Sequence, residues 1–166
     1  MNPELAVFDT LIRYRLEPEI YTIKLLEQFA QTVAQENKPF PIHIKLDTGM
    51  HRLGFEEKDL SELVQTIKKY PQLRGSSIFS HLAASEAPEH DVFTQTQFQR
   101  YTQSYEYIIS QIGYTPVRHI LNSSGITRFP SYQLDMVRLG IGMYGIDPVL
   151  GDQLQPVLQL KARISQ

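Results

Sequence analysis

Apolar positions along this chain fall into two spacings, and the spacing changes where proline and glycine cluster. Residues 42–47 read as a strand, with Ile42, Ile44 and Leu46 on one face and His43, Lys45 and Asp47 on the other. Thr48-Gly49 breaks the run and Arg52 follows. From Glu56 the spacing turns helical, and Leu60, Leu63, Val64 and Ile67 form a stripe that closes near Tyr70-Pro71. Strand, polar loop with a cation, then helix is how α/β proteins present working groups at the carboxyl end of a strand. A surface turn with a solvated arginine is the plainer alternative.

The alternation extends both ways. Upstream, Leu5, Val7, Phe8, Leu11 and Ile12 predict a short helix and residues 13–16 a short strand. Pro18-Glu19 then opens a helix with Ile20, Ile23, Leu26, Phe29, Ala30 and Val33 as its apolar stripe, which Pro39 and Pro41 end. Downstream, residues 76–81 predict a strand and 84–91 a polar loop. Thr94 with Gln97 reads as a capping box for a helix that buries Phe98, Tyr101, Tyr105, Ile108 and Ile112, with Gly113 as its stop. Residues 117–121 predict a fourth strand, and Met136-Val137 a fifth running into Gly140-Ile141-Gly142. Residues 157–164 alternate like a strand belonging to another domain.

Strands alternating with helices predict a parallel α/β architecture, although this spacing suits barrels and doubly wound sheets alike. Composition narrows the partners. A hydrophobic fraction of 42% and a charged fraction of 20% are globular values. The net charge of -2 and the lack of a basic stripe argue against nucleic acid. With no cysteine there is neither a disulfide framework nor a thiolate metal site. No apolar run reaches bilayer-spanning length and the start does not resemble a signal peptide, so no membrane partner and a cytoplasmic location are expected. His81, His90 and Asp91 lack any paired-histidine motif, so no metal is expected. G-x-S-x-G, P-loop and dinucleotide fingerprints are absent.

Three features carry candidate chemistry. Asn122-Ser123-Ser124-Gly125 follows a strand, where backbone N–H groups and a serine hydroxyl suit a phosphate. Gly140-Ile141-Gly142 lets backbone donors come close. An ordinary N-cap and a tight glycine turn explain the same residues without a ligand. Arg138 lies in an otherwise apolar segment, where an unpaired guanidinium is costly and must find a partner.

The string HIKLDTGMHRLGF, around Lys45 and Arg52, closely resembles a signature of the alanine racemases, pyridoxal-phosphate enzymes that interconvert L- and D-alanine. FSHLAASE, containing His81, and LNSSGI followed by DMVRLGIGMYGIDP resemble further blocks of that family in the same order. The resemblance implies a partial (β/α)8 TIM barrel: roughly the last five to six βα units, lacking the first strands and the C-terminal β-domain. Residues 1–150 would form the cofactor-binding part and 151–166 the start of the β-domain. By residue match, Ser123, Gly140 and Ile141 hold the cofactor phosphate, with Asn122 shaping the loop. Arg138 faces the ring nitrogen, His81 packs by the ring and bonds that arginine, and Arg52 takes the substrate carboxylate. The counterpart of Lys45 is carbamylated in many members.

The pattern also has gaps. None of Lys24, Lys38, Lys45, Lys58, Lys68, Lys69 or Lys161 lies in the family's lysine-alanine-x-alanine-tyrosine-glycine block, which supplies the cofactor-anchoring base. The second base is a tyrosine of the β-domain, so no tyrosine here takes that role, and Leu139 stands where many members have proline. No catalytic base is therefore assigned. The resemblance implies an isomerase supplying D-alanine for peptidoglycan, alanine as substrate, and a homodimer in the full-length protein. Other readings are a non-catalytic pyridoxal-phosphate homeostasis protein, a racemase for another amino acid, a related decarboxylase and a purely structural domain.

Overall fold

The computed structural model describes residue 3, residues 5–34, residue 36 and residues 39–164. Four strands form one sheet: β1 (Glu19–Ile20), β2 (Phe40–Lys45), β3 (Leu73–Phe79) and β4 (Val117–His119). All pairs are parallel and the spatial order follows the chain, β1-β2-β3-β4. Each strand is thus added at the same edge. Right-handed crossovers then set the connecting helices on one face. These helices are α2 (Ile23–Thr32), α3 (Leu60–Lys69) and α4 (Asp91–Ile112), with α2 packed on α3 and α3 on α4. A short α1 (Phe8–Arg13) precedes β1, and α5 (Ser123–Arg128) follows β4.

The helix-facing side of the sheet is the hydrophobic core. Ile20, Ile42, Ile44, Ile78 and Ile120 are fully buried there with Leu26, Phe29, Leu63 and Ile108. The opposite side carries Glu19, His43, Lys45, Ser77, Phe79 and His119, so polarity alternates as the period of two requires. One irregularity sets its register. Ile42 pairs with Gly75 but His43 pairs with Ser77, so Ser76 is an extra residue in β3. The bulge reverses the facing of β3 beyond it, which places Ser77 beside His43 and Phe79 beside Lys45.

Several sequence expectations need correction. Residues 13–16 do not form a strand: Tyr14 and Leu16 N–H groups bond back to Thr10 and Leu11 carbonyls and close α1. The strand is Glu19–Ile20, because Thr22 rather than Pro18 caps α2, its hydroxyl accepting from Leu25 N–H at 3.2 Å. Helix α4 begins at Asp91, after a single 3-10 turn led by Pro88, so Thr94 and Gln97 lie inside it rather than at its cap. Met136-Val137 does not form a fifth strand. Asp135 and Arg138 N–H groups bond the Arg118 and Leu121 carbonyls, but no ladder develops between them. Residues 157–164 likewise pair with no strand among the described residues, and Leu160 is fully exposed. Five to six βα units were expected; the described residues hold four strands.

The loop after β2 is tightly closed. Asp47 N–H bonds Phe55 O and Phe55 N–H bonds Lys45 O, both at 2.9 Å, while Asp47 Oδ1 accepts from Gly49 and His51 N–H groups. Gly54 closes it at φ +134°, and a Cβ there would lie 2.5 Å from Asp47 N and 2.6 Å from Leu46 C. Gly113 also has positive φ, but a Cβ there meets nothing within 4 Å. Gly54→Ala is expected to lower unfolding free energy by about 3 kcal/mol or more, and Gly113→Ala by about 1 kcal/mol. Urea denaturation of the two variants checks the contrast, and equal costs would contradict it.

Candidate functional site

The candidate residues gather where the strands end. His81 follows β3, Ser123 follows β4, and Arg138 reaches back across both. Among the described residues Arg138 is held without a carboxylate. Its Nη2 donates to Ser80 O at 2.6 Å, Ile120 O at 3.3 Å and His81 Nδ1 at 3.3 Å, and its Nη1 donates to His119 Nδ1. The guanidinium carbon also lies 5.1 Å from the Phe79 ring centroid. Among the described residues its Nε makes no hydrogen bond, which leaves a donor for a further acceptor.

Both histidines beside Arg138 are neutral at pH 7. Burial, then Arg138, Lys45 and Arg52, lower His81 to about 4. Burial, then Arg138 and His43, lower His119 to about 3. Because arginine only donates, each ring accepts at Nδ1 and carries its proton on Nε2. Arg52 is exposed on the loop after β2.

Lys45 is buried, with Nζ 3.0 Å from Glu19 Oε1 and 5.7 Å from the Phe79 ring centroid. The Glu19 contact is ionic without hydrogen-bond geometry, since Oε1 is buried and makes no hydrogen bond. A carbamate on Lys45 would set an anion against Glu19, so modification requires Glu19 to move or take a proton.

At the other end of the rim, Gly140 and Gly142 N–H groups converge on Ser123 Oγ at 2.9 and 3.0 Å. A Cβ on Gly142 would lie 3.1 Å from Leu139 Cδ1 and 3.3 Å from Ser123 Cβ and Oγ, so these neighbours would have to shift by a few tenths of an ångström. Two backbone donors and a hydroxyl at one point suit a phosphate oxygen, which would take the place the Ser123 oxygen now fills as acceptor. Ile141 lies between the two glycines with its side chain 54% exposed. Asn122 caps α5, its Oδ1 accepting from Gly125 N–H at 2.9 Å and from Ser85 Oγ at 2.7 Å.

The sequence reading missed the braces. Buried Gln97 accepts from Ala83 N–H and donates to His81 O, so α4 sets the loop that carries His81. Arg128 reaches Ser85 O and the Asp91 carboxylate, joining α5 to the start of α4. Asp135 pairs with Arg118 through two 2.9 Å side-chain bonds, which hold Asp135 at about 2 and pin the segment leading to Arg138. His119 was readable as an inward position by its alternation with buried Ile120, but nothing in the sequence paired it with Arg138. Among the described residues no cluster of acidic and histidine side chains fit for a metal occurs, and no helix is long and apolar enough to cross a membrane.

A family model described as "Alanine racemase, N-terminal domain" matches residues 3–148. The chain belongs to the alanine racemase family. It is 33% identical over 162 residues to the alanine racemase of Synechocystis, covering 95% of this chain and 43% of that one. Alanine racemase 2 of Bacillus subtilis is 36% identical over 131 residues, 75% of this chain and 33% of that one. The chain therefore spans less than half the length of these curated relatives. Alanine racemase of Clostridium difficile superposes with a TM-score of 0.84 at 23% identity, covering 94% of this chain and 44% of that chain, a likeness of fold. An alanine racemase from Bartonella henselae, solved with covalently bound pyridoxal phosphate, superposes with a TM-score of 0.74 at 26% identity, covering 89% of this chain and 41% of that chain.

The neutral histidines give this alanine racemase family domain an acid-sensitive core. A histidine whose folded pKa lies below its unfolded value contributes fully above pH about 6.5, and that contribution falls as pH drops toward the folded value. For His119 the loss reaches about 2 kcal/mol at pH 5. His119→Asn, whose Oδ1 can accept from Arg138, is expected to flatten the fall in urea-derived stability between pH 7 and pH 5. An unchanged slope would contradict the assignment.

Proposed function

We propose that this chain is part of an alanine racemase that interconverts L- and D-alanine with pyridoxal 5′-phosphate. The observation that carries the reading is Arg138 bonded to His81 at the strand ends, with the Ser123–Gly140–Gly142 donors at the end of β4 beside it. When bound, the cofactor supplies an electron-withdrawing ring that acidifies the substrate's α-proton. Ser123 and the N–H groups of the Gly140-Ile141-Gly142 turn would hold its phosphate, with Asn122 keeping the turn in shape. Arg138 would hold the ring nitrogen through its spare donors without giving up a proton, which limits charge delocalisation into the ring. His81 would pack beside the ring, and exposed Arg52 would offer its planar fork to the substrate carboxylate. A family decarboxylase would be expected to place an acid, not an arginine, against the ring nitrogen.

The consecutive parallel strands support a wall of a (β/α)8 TIM barrel. The family match ends at residue 148, which supports residues 1–150 as barrel and 151–166 as the start of the next domain. The reading carries D-alanine supply for peptidoglycan and a cytoplasmic location on the strength of the family alone. Open sheet edges and exposed Leu139, Ile141, Met143 and Ile146 favour self-association, with a dimer in the full-length protein.

Two-base racemisation needs a proton acceptor on each face of the substrate carbon, and this chain matches neither base. The expected outcome is weak, reversible cofactor binding, no borohydride-trapped adduct at a single lysine, and no D-alanine formation. Arg138→Leu should weaken binding in a pyridoxal 5′-phosphate titration by about tenfold or more, given the charge-assisted bonds lost. Measurable turnover, or affinity unchanged by Arg138→Leu, would contradict the reading. Sedimentation of the same preparation as a monomer at every concentration would contradict the self-association.

A further inference from the structure

The inner face of the sheet holds a string of polar contacts to which the sequence motifs contribute only His43 and Arg138. Beyond Arg138, the His119 Nε2 lies 3.1 Å from Ser77 Oγ, Ser77 Oγ lies 2.6 Å from His43 Nδ1, and His43 Nε2 lies 2.8 Å from Glu17 Oε2. The two termini of this string fix its direction. Arg138 can only donate, so His119 Nδ1 accepts and Nε2 bears the hydrogen. That hydrogen goes to Ser77 Oγ, which leaves the serine's own hydrogen for His43 Nδ1. His43 therefore bears its hydrogen on Nε2 and donates to the Glu17 carboxylate. Every link is consistent with one polarity, in which each contact along the string has one donor and one acceptor.

We infer that Glu17, His43 and Ser77 are positioning residues that hold His119 in its Nε2–H tautomer and thereby fix the Arg138 guanidinium at the site. The anion at the far end draws each hydrogen along the string, which makes His119 Nδ1 a better acceptor for the guanidinium. The bulge at Ser76 is what makes this geometry available, because without the extra residue Ser77 would face the helices instead of His43. Ser77 and His119 are buried, whereas the Glu17 side chain is 43% exposed, so the string runs from solvent to the rim. The purpose of holding Arg138 rests on the cofactor reading proposed above. The string itself does not, and it is testable with no ligand present.

Long-range proton–nitrogen correlation spectra of the chain labelled with 15N-histidine read each ring's tautomer directly. At pH 7, His119 and His43 are expected as Nε2–H tautomers. Ser77→Ala should disturb the ring nitrogens of both, which lie on different strands, and Ser77→Thr should restore them because it keeps the hydroxyl. Glu17→Gln, at the exposed end where folding is least at risk, should shift His43 strongly and His119 in the same sense but less. An Nδ1–H tautomer at His119, or His119 resonances unchanged in both Ser77→Ala and Glu17→Gln, would overturn the inference. Failure of cofactor binding with these spectra as expected would count against the cofactor reading alone.

Discussion

Arg138 carries a charge into a place where, among the described residues, no carboxylate bonds it, and the rest of the site is arranged around that fact. Leaving a guanidinium buried and unpaired is expensive. Here the ends of β3 and β4 supply the Ser80 and Ile120 carbonyls, and two neutral imidazoles supply lone pairs. Burial pushes the Arg138 pKa down, with Tyr101 and Glu19 opposing, and a guanidinium keeps its charge in a protein. The charge is therefore solvated by the fold and not cancelled by it. It remains available to an acceptor from outside.

That arrangement gives the rim its electrostatic character. Lys45 is answered by Glu19 across the inner face, whereas Arg138 keeps its charge at the strand ends and Arg52 is exposed on the loop after β2. The Ser123–Gly140–Gly142 donors add a second positive region. An anionic phosphate at one end and a carboxylate near Arg52 fit this distribution better than any cation or nucleic acid. The scaffold needed to hold it is modest: a parallel sheet with helices on one face, braced by Gln97, Arg128 and the Arg118–Asp135 pair.

Much of this was legible in the sequence, for physical reasons. Period-two and helical spacing located β2, α3, most of α4 and β4, because burial on one face enforces them. The motifs named His81, Asn122, Ser123 and Arg138, which the structure brings to one rim. The failures share a cause in tertiary contacts. Thr94 and Gln97 look like a cap, yet Gln97 is buried to hold the His81 loop. Met136-Val137 alternates like a strand, yet only two backbone bonds beside β4 hold that segment. The bulge at Ser76 was invisible, so the facing of Ser77 and its link to His43 and His119 had no sequence signal. Tautomers, likewise, are set by partners that lie far away in the chain.

The most direct measurement of the central claim is a crystal structure of the chain soaked with pyridoxal 5′-phosphate. The account predicts the ring nitrogen against the Arg138 guanidinium, His81 beside the ring, and the phosphate at the Ser123–Gly140–Gly142 turn. A cofactor bound elsewhere, or an Arg138 side chain turned away from the Ser80 and Ile120 carbonyls, would contradict it.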